Sequence, residues 1–138
     1  MRGEYYHSID DKGRLNFPSR LRETLGARFY LSKGLDNCIA VYSESEWEAF
    51  EERLRTQSLS KGRKIQRFFL SGAIDVAPDK QGRVLIPQNL RAYAEMDKEV
   101  VIIGAGDRAE IWDKKRWEAS CDSIDSEDIA QMMDDLDL

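Results

Sequence analysis

Ile9-Asp10-Asp11-Lys12-Gly13-Arg14-Leu15-Asn16-Phe17-Pro18 returns later in the chain as Pro78-Asp79-Lys80-Gln81-Gly82-Arg83-Val84-Leu85-Ile86-Pro87, with Asp, Gly, Arg and Pro in register. Beyond the prolines, Leu21-Arg22 falls on Leu90-Arg91. After a one-residue slip Gly34 falls on Gly104, Val41-Tyr42 on Ile111-Trp112, and Trp47-Glu48-Ala49 on Trp117-Glu118-Ala119. Identities kept in order over such a span mark a duplicated unit, and a unit that recurs is one supersecondary block that must bury its apolar face against its copy.

Each copy reads the same way locally. Tyr5 to Ile9 and Ala73 to Val76 predict short strands, each followed by an Asp/Gly turn and an apolar run, the pattern of a β-hairpin. Gly13 and Gly82 stand last in their turns, where a positive φ suits glycine. Pro18 and Pro87 open short helices, since proline is tolerated in a first turn. A second hairpin follows, Phe29–Ser32 with Ile39–Tyr42 in one half and Val100–Ile103 with Ala109–Trp112 in the other. Ser43-Glu44-Ser45-Glu46 has capping-box spacing, predicting a helix from Glu44 to Arg55 with Trp47, Phe50 and Leu54 on one face. Ile65, Phe68 and Phe69 form another amphipathic helix that Gly72 terminates. The expected class is mainly β with short helices (α+β). Four short strands cannot close a core, so the two halves must interlock. The divisions are residues 1–55 for the first repeat, 56–72 for a linker and connecting helix, 73–118 for the second repeat, and 119–138 for an acidic tail.

Charge is segregated along the chain. The formal net charge is −5, yet Ala119 to Leu138 carries seven acidic residues and no basic one, so the rest is net positive, and Arg53 to Arg67 carries six basic residues and no acidic one. The tail reads either as a solvated, partly disordered end or as a self-masking or partner-binding segment. No stretch approaches the roughly 20 apolar residues of a membrane-spanning helix, and the N-terminus lacks the apolar core of a secretory signal, so a cytoplasmic protein with no membrane partner is expected. Cys38 and Cys121 lie far apart and outside any Cys-x-x-Cys spacing. They are expected as thiols that serve packing.

The chemistry concentrates in the doubled Asp-x-x-x-Arg. A carboxylate and a guanidinium at the two ends of a turn can meet, fixing the loop and the direction in which Lys12 or Lys80 points. Asp10, Asp79, Gly13 and Gly82 are therefore assigned structural roles. Arginine is the side chain best fitted for bidentate contact with guanine edges or phosphate oxygens, which makes Arg14 and Arg83 the candidate DNA contacts. A two-stranded ribbon is thin enough for a major groove, with Lys12, Lys80 and Arg2 as backbone anchors.

Arg2-Gly3 with an aromatic residue at position 5, Ser8-Ile9-Asp10-x-Lys12-Gly13-Arg14-Leu15-x-x-Pro18 and the doubled Asp-x-x-x-Arg resemble the MraZ family of bacterial transcriptional regulators, whose halves belong to the AbrB/SpoVT-like swapped-hairpin group. The resemblance spans nearly the whole chain. It implies a pseudo-symmetric swapped-hairpin (AbrB-like) β-barrel formed by two tandem repeats, assembly into a homo-oligomeric ring, and binding to double-stranded DNA at tandem promoter repeats of the division and cell-wall gene cluster, hence a nucleoid-associated protein. By position the motif falls on Asp10 and Arg14 and on Asp79 and Arg83. Ring closure needs head-to-tail surfaces, for which the Trp47/Phe50/Leu54 and Ile65/Phe68/Phe69 faces are candidates, intrachain packing being the other reading.

Competing chemistries lack their parts. His7 is the single histidine, in an expected strand, without a Ser or Cys nucleophile arranged beside it, so no enzyme is expected. One histidine and two separated cysteines do not make a zinc set. Gly104-Ala105-Gly106 leads into an expected strand rather than a helix and reads as a turn, not a phosphate loop. No cofactor and no small-molecule substrate are expected. A protein-interaction module or antitoxin-like partner protein with the same fold remains the alternative, because fold alone does not assign function.

Overall fold

The computed structural model describes residues 1–138. In chain order the elements are β1 (Glu4–Ser8), β2 (Arg14–Asn16), α1 (Ser19–Leu25), β3 (Phe29–Lys33), β4 (Ile39–Ser43), α2 (Glu44–Arg55) and α3 (Ser60–Leu70), then β5 (Ile74–Val76), β6 (Arg83–Leu85), α4 (Gln88–Tyr93), β7 (Glu99–Gly104), β8 (Ala109–Asp113), α5 (Lys114–Asp122) and α6 (Ser126–Asp135). The fold is α+β, with antiparallel sheet and short helices. No helix is long and apolar enough to cross a membrane.

A six-stranded sheet has the order β1-β7-β8-β4-β3-β5, and β2 pairs with β6 in a separate ribbon. Exchanging each first-half strand for its counterpart four places on reverses this order and leaves it unchanged. The duplication therefore appears in space as a two-fold relation passing between β4 and β8. Of the six pairings, only β3–β4 and β7–β8 lie within a half. The other four, β1–β7, β2–β6, β3–β5 and β4–β8, cross between halves. Each half thus completes the other's ladder, as its shortage of strands requires. These pairings make an open sheet and a separate ribbon rather than a closed barrel.

The first expected hairpin differs from the structure. Asp10 N–H donates to the Arg14 carbonyl at 3.0 Å, closing the turn, but β1 then joins β7 while β2 joins β6. The strands part because β2 is more useful to the partner half. In that register Leu15 faces Val84, and both are buried. The core around them is shared: Leu15, Phe17, Leu21, Leu25 and Phe29 pack in one cluster with Val84, Ile86, Leu90 and Ile102.

Helix starts follow their caps. Pro18 and Pro87 stand at the N-caps of α1 and α4, with φ near −60° and extended ψ. Ser43 accepts from Glu46 N–H at the start of α2, Asp113 from Arg116 N–H at α5, and Asp125 from Asp128 N–H at α6. Each satisfies an otherwise orphaned amide. The tail is therefore helical for much of its length, where a partly disordered end was one expectation. Every residue of α6 is exposed.

Trp47 and Leu54 are buried within the chain. Phe50 and Phe69 meet edge to face, as do Phe68 and Tyr93, which ties α2 and α3 back onto their own half and α4. Most of the residues considered for ring closure are thus occupied internally, and Ile65 is the exception. Of the two thiols Cys38 is buried and serves packing, whereas Cys121 is exposed on α5 and does not.

Candidate nucleic-acid interface

The two Asp-x-x-x-Arg turns are built alike to within a few tenths of an ångström. Asp10 Oδ1 accepts from the backbone N–H groups of Lys12 and Arg14 at 2.9 and 2.8 Å, while its Oδ2 accepts from Arg14 Nε at 2.8 Å. Asp79 Oδ1 accepts from Gln81 and Arg83 N–H, both at 2.9 Å, and Oδ2 from Arg83 Nε at 3.0 Å. The Arg14 amide, with further hydrogen bonds from Arg14 Nε and Lys12 N–H and the nearby guanidinium charge, holds the Asp10 carboxyl below its ordinary range. Arg83 and Gln81 do the same for Asp79. Gly13 and Gly82 close the turns at φ of 85° and 79°, which glycine adopts without the penalty of a β carbon.

Binding through Nε has a chemical consequence. It leaves the terminal nitrogens of Arg14 and Arg83 without a protein acceptor, while the carboxylate fixes the plane of each guanidinium. A pair of parallel N–H donors on a pre-oriented fork is the arrangement that reads a phosphate or a guanine edge.

Strand geometry sets where these forks point. In the β2–β6 ribbon Arg14 stands opposite Leu85 and Asn16 opposite Arg83. Residues directly opposite share a face, and alternate residues along a strand share it too. One face of the ribbon therefore carries Arg14, Asn16, Arg83 and Leu85, and the other buries Leu15 and Val84. Leu85 is 59% exposed on that face.

Two arginines that the motif did not point to complete the surface. Arg91 Nε donates to the Ile86 carbonyl at 3.0 Å, and its guanidinium lies against Gly13 of the other repeat; Arg22 Nε donates to the Phe17 carbonyl at 3.0 Å and covers Gly82. The same turns exchange backbone bonds, Phe17 N–H to the Gly82 carbonyl and Ile86 N–H to the Gly13 carbonyl. Arg22 and Arg91 coincide when the repeats are superposed in sequence, so the signal was present. What the sequence did not carry was their proximity to the opposite turn. Lys12 and Lys80 sit exposed at the turn tips beside these groups. Arg2 does not join them, because it precedes the opposite end of β1, against Gly104, a strand length of roughly 16 Å from the Asp10 turn. Gly104-Ala105-Gly106 is the β7–β8 turn, where Gly106 N–H donates to the Met1 carbonyl.

A sequence model of the family described as "MraZ protein, putative antitoxin-like" matches residues 1–67 and again 69–137. The chain belongs to the MraZ family. Curated MraZ relatives align along their whole length. The protein of Moorella thermoacetica named transcriptional regulator MraZ is 49% identical over 140 residues, covering 99% of this chain and 98% of that protein. The MraZ of Pelotomaculum thermopropionicum is 51% identical over 140 residues, covering 99% and 97%. That of a Thermoanaerobacter species is 48% identical over 142 residues, covering 100% and 99%. The double match of the MraZ model coincides with the two-fold relation of the sheet.

Proposed function

We propose that this MraZ-family chain is a sequence-specific DNA-binding transcriptional regulator that presents the β2–β6 ribbon to the major groove. Arg14 and Arg83 make the principal contacts, Lys12 and Lys80 hold flanking phosphates, and the chain assembles into a ring on tandem promoter repeats. The observation that carries this reading is the pair of matched turns in which an aspartate occupies Nε and leaves two oriented, partly exposed guanidinium forks on one ribbon. The names of the full-length relatives support regulation of transcription. The family resemblance supplies the tandem sites of the division and cell-wall gene cluster, the swapped-hairpin barrel as the parent architecture, and the nucleoid as location. The divisions at 1–55, 56–72, 73–118 and 119–138 separate the two DNA-presenting repeats from the connecting and acidic segments.

Repetition of sites and subunits fits the energetics. One ribbon neutralises only a few phosphates, and affinity falls with log salt by about 0.9 per phosphate, so a single subunit binds weakly at physiological salt. Several subunits on one duplex gain effective concentration. Fluorescence anisotropy with a tandem-repeat duplex at two salt concentrations tests this. Arg14→Ala and Arg83→Ala are each expected to cost about 1–3 kcal/mol per site, with an unchanged native mass. A double variant that binds like the parent chain overturns the assignment and leaves the protein-interaction alternative.

A further inference from the structure

The helices α3 and α6 occupy the same ordinal place in the two repeats, each following the helix that closes its half, yet they behave oppositely. α3 packs on α2 of its own half through Phe69 and on α4 of the other half through Phe68. α6 is exposed along its whole length: Ile129, Met132, Met133 and Leu136, spaced i, i+3, i+4, i+7, form an apolar row that is 41–70% exposed. That spacing is the stripe of a helix made to be covered.

Charge indicates what covers it. Asp128 and Asp135 border the apolar row, and from Asp122 to Leu138 the chain holds acidic residues and no basic one. On α3 Lys61, Lys64 and Ile65, the last 43% exposed, stand uncovered on the stripe that ends in Phe68, with Arg63 and Arg67 exposed on the adjoining flank. An acidic rim around apolar residues thus matches a basic rim around an apolar residue, whereas a polyphosphate would be poorly served by the exposed isoleucine. Within one chain α6 does not cover α3, since every residue of α6 is exposed. α5, which leads into α6 through three residues, lies on β7 and β8, whereas α3 lies on β3, towards the opposite end of the six-stranded order. Complementary but distinct patches on one molecule make a head-to-tail contact, the kind that closes rings when the rotation allows.

We propose that α6 of one copy docks through Ile129, Met132, Met133 and Leu136 on the Lys61/Lys64/Ile65 face of α3 in the next copy, and that this contact is the subunit interface. The inference rests on the ring reading above and gives it a specific surface.

The test uses the full chain in a Cys121→Ser background. One tagged copy carries Ile65→Cys and another, with a different tag, Met132→Cys. After mild oxidation the mixture is expected to give a crossed disulfide on a non-reducing gel, absent when Met132→Cys is paired with Glu23→Cys on α1. Native mass spectrometry provides the second arm: Lys61→Glu/Lys64→Glu should dissociate the assembly, and Asp128→Lys/Asp135→Lys on the same chain should restore it. A parent chain that is itself monomeric removes the ring reading. A ring that persists through the Lys→Glu changes and gives no crossed disulfide overturns this interface and leaves the ring reading standing. Loss of duplex binding with an intact ring in the Lys→Glu variant also overturns it, assigning α3 to phosphate instead.

Discussion

The guanidinium of Arg22, in the first repeat, covers Gly82 in the second so closely that a β carbon there would stand 3.0 Å from its central carbon, and Arg91 covers Gly13 in the reciprocal way at 3.1 Å. Each motif turn is therefore closed by a side chain from the other half. Gly82→Ala meets both a crowded guanidinium and a positive φ, and is expected to destabilise by roughly 1–3 kcal/mol. Chemical denaturation measures this. Adding Arg22→Ala should recover the steric part and leave the backbone part, whereas equal losses in single and double variants would show that Arg22 exerts no crowding.

The aspartates make the turns acid-sensitive in a defined direction. Because the folded carboxyls of Asp10 and Asp79 lie below their ordinary values, their contribution to stability is complete above the usual carboxylate range and is lost as pH falls through the lowered folded values. The parent chain should lose stability more steeply below about pH 4 than Asp10→Asn/Asp79→Asn, which keeps an acceptor for the turn amides but no charge. Carboxyl carbon shifts followed by NMR give the two titrations directly.

Loss of the staple should also loosen the fork it holds. Asp10→Ala is expected to weaken duplex binding while Arg14 remains present, with little change in native mass. Near-parent affinity would mean that Arg14 needs no orienting partner.

Leu15 is fully buried at the crossing of the two halves. Leu15→Ala is expected to cost about 2–5 kcal/mol, at the large end if the rigid cross-repeat ribbon prevents collapse into the space. A single cooperative transition by circular dichroism and fluorescence should persist, because both halves contribute to one core.

The thiols should separate cleanly. Burial pushes Cys38 up to about 12, while Cys121 is exposed, its thiol raised by partial desolvation and by Glu4, Asp122 and Glu118. An aromatic disulfide reagent at pH 8 should label one thiol per native chain and the second only on unfolding; prompt labelling of both would contradict the burial of Cys38.

Duplication, the turn chemistry and the helix starts were legible along the chain because each depends on residues within a few positions. Glycine at a positive φ, a serine or aspartate cap, and an Asp–Arg pair spanning one turn are local conditions that amino-acid identity alone can meet. Even the apolar row of α6 was written in its spacing, although its acidity suggested a solvated end.

Pairing was not local. Nothing in Arg14-Leu15-Asn16 distinguishes β1 from β6 as its partner, since both are short strands, and only burying Leu15 against Val84 in a common core decides for β6. From that choice follow the parting of the first hairpin, the shared outward face of Arg14, Asn16, Arg83 and Leu85, the covering of each turn by the other half's arginine, and the separation of Arg2 from the motif. The sequence by itself determined which turns form and what they carry. The tertiary structure determined what they face, because strand partners are selected by the total apolar surface that two halves can remove from water together, a quantity belonging to the assembled chain.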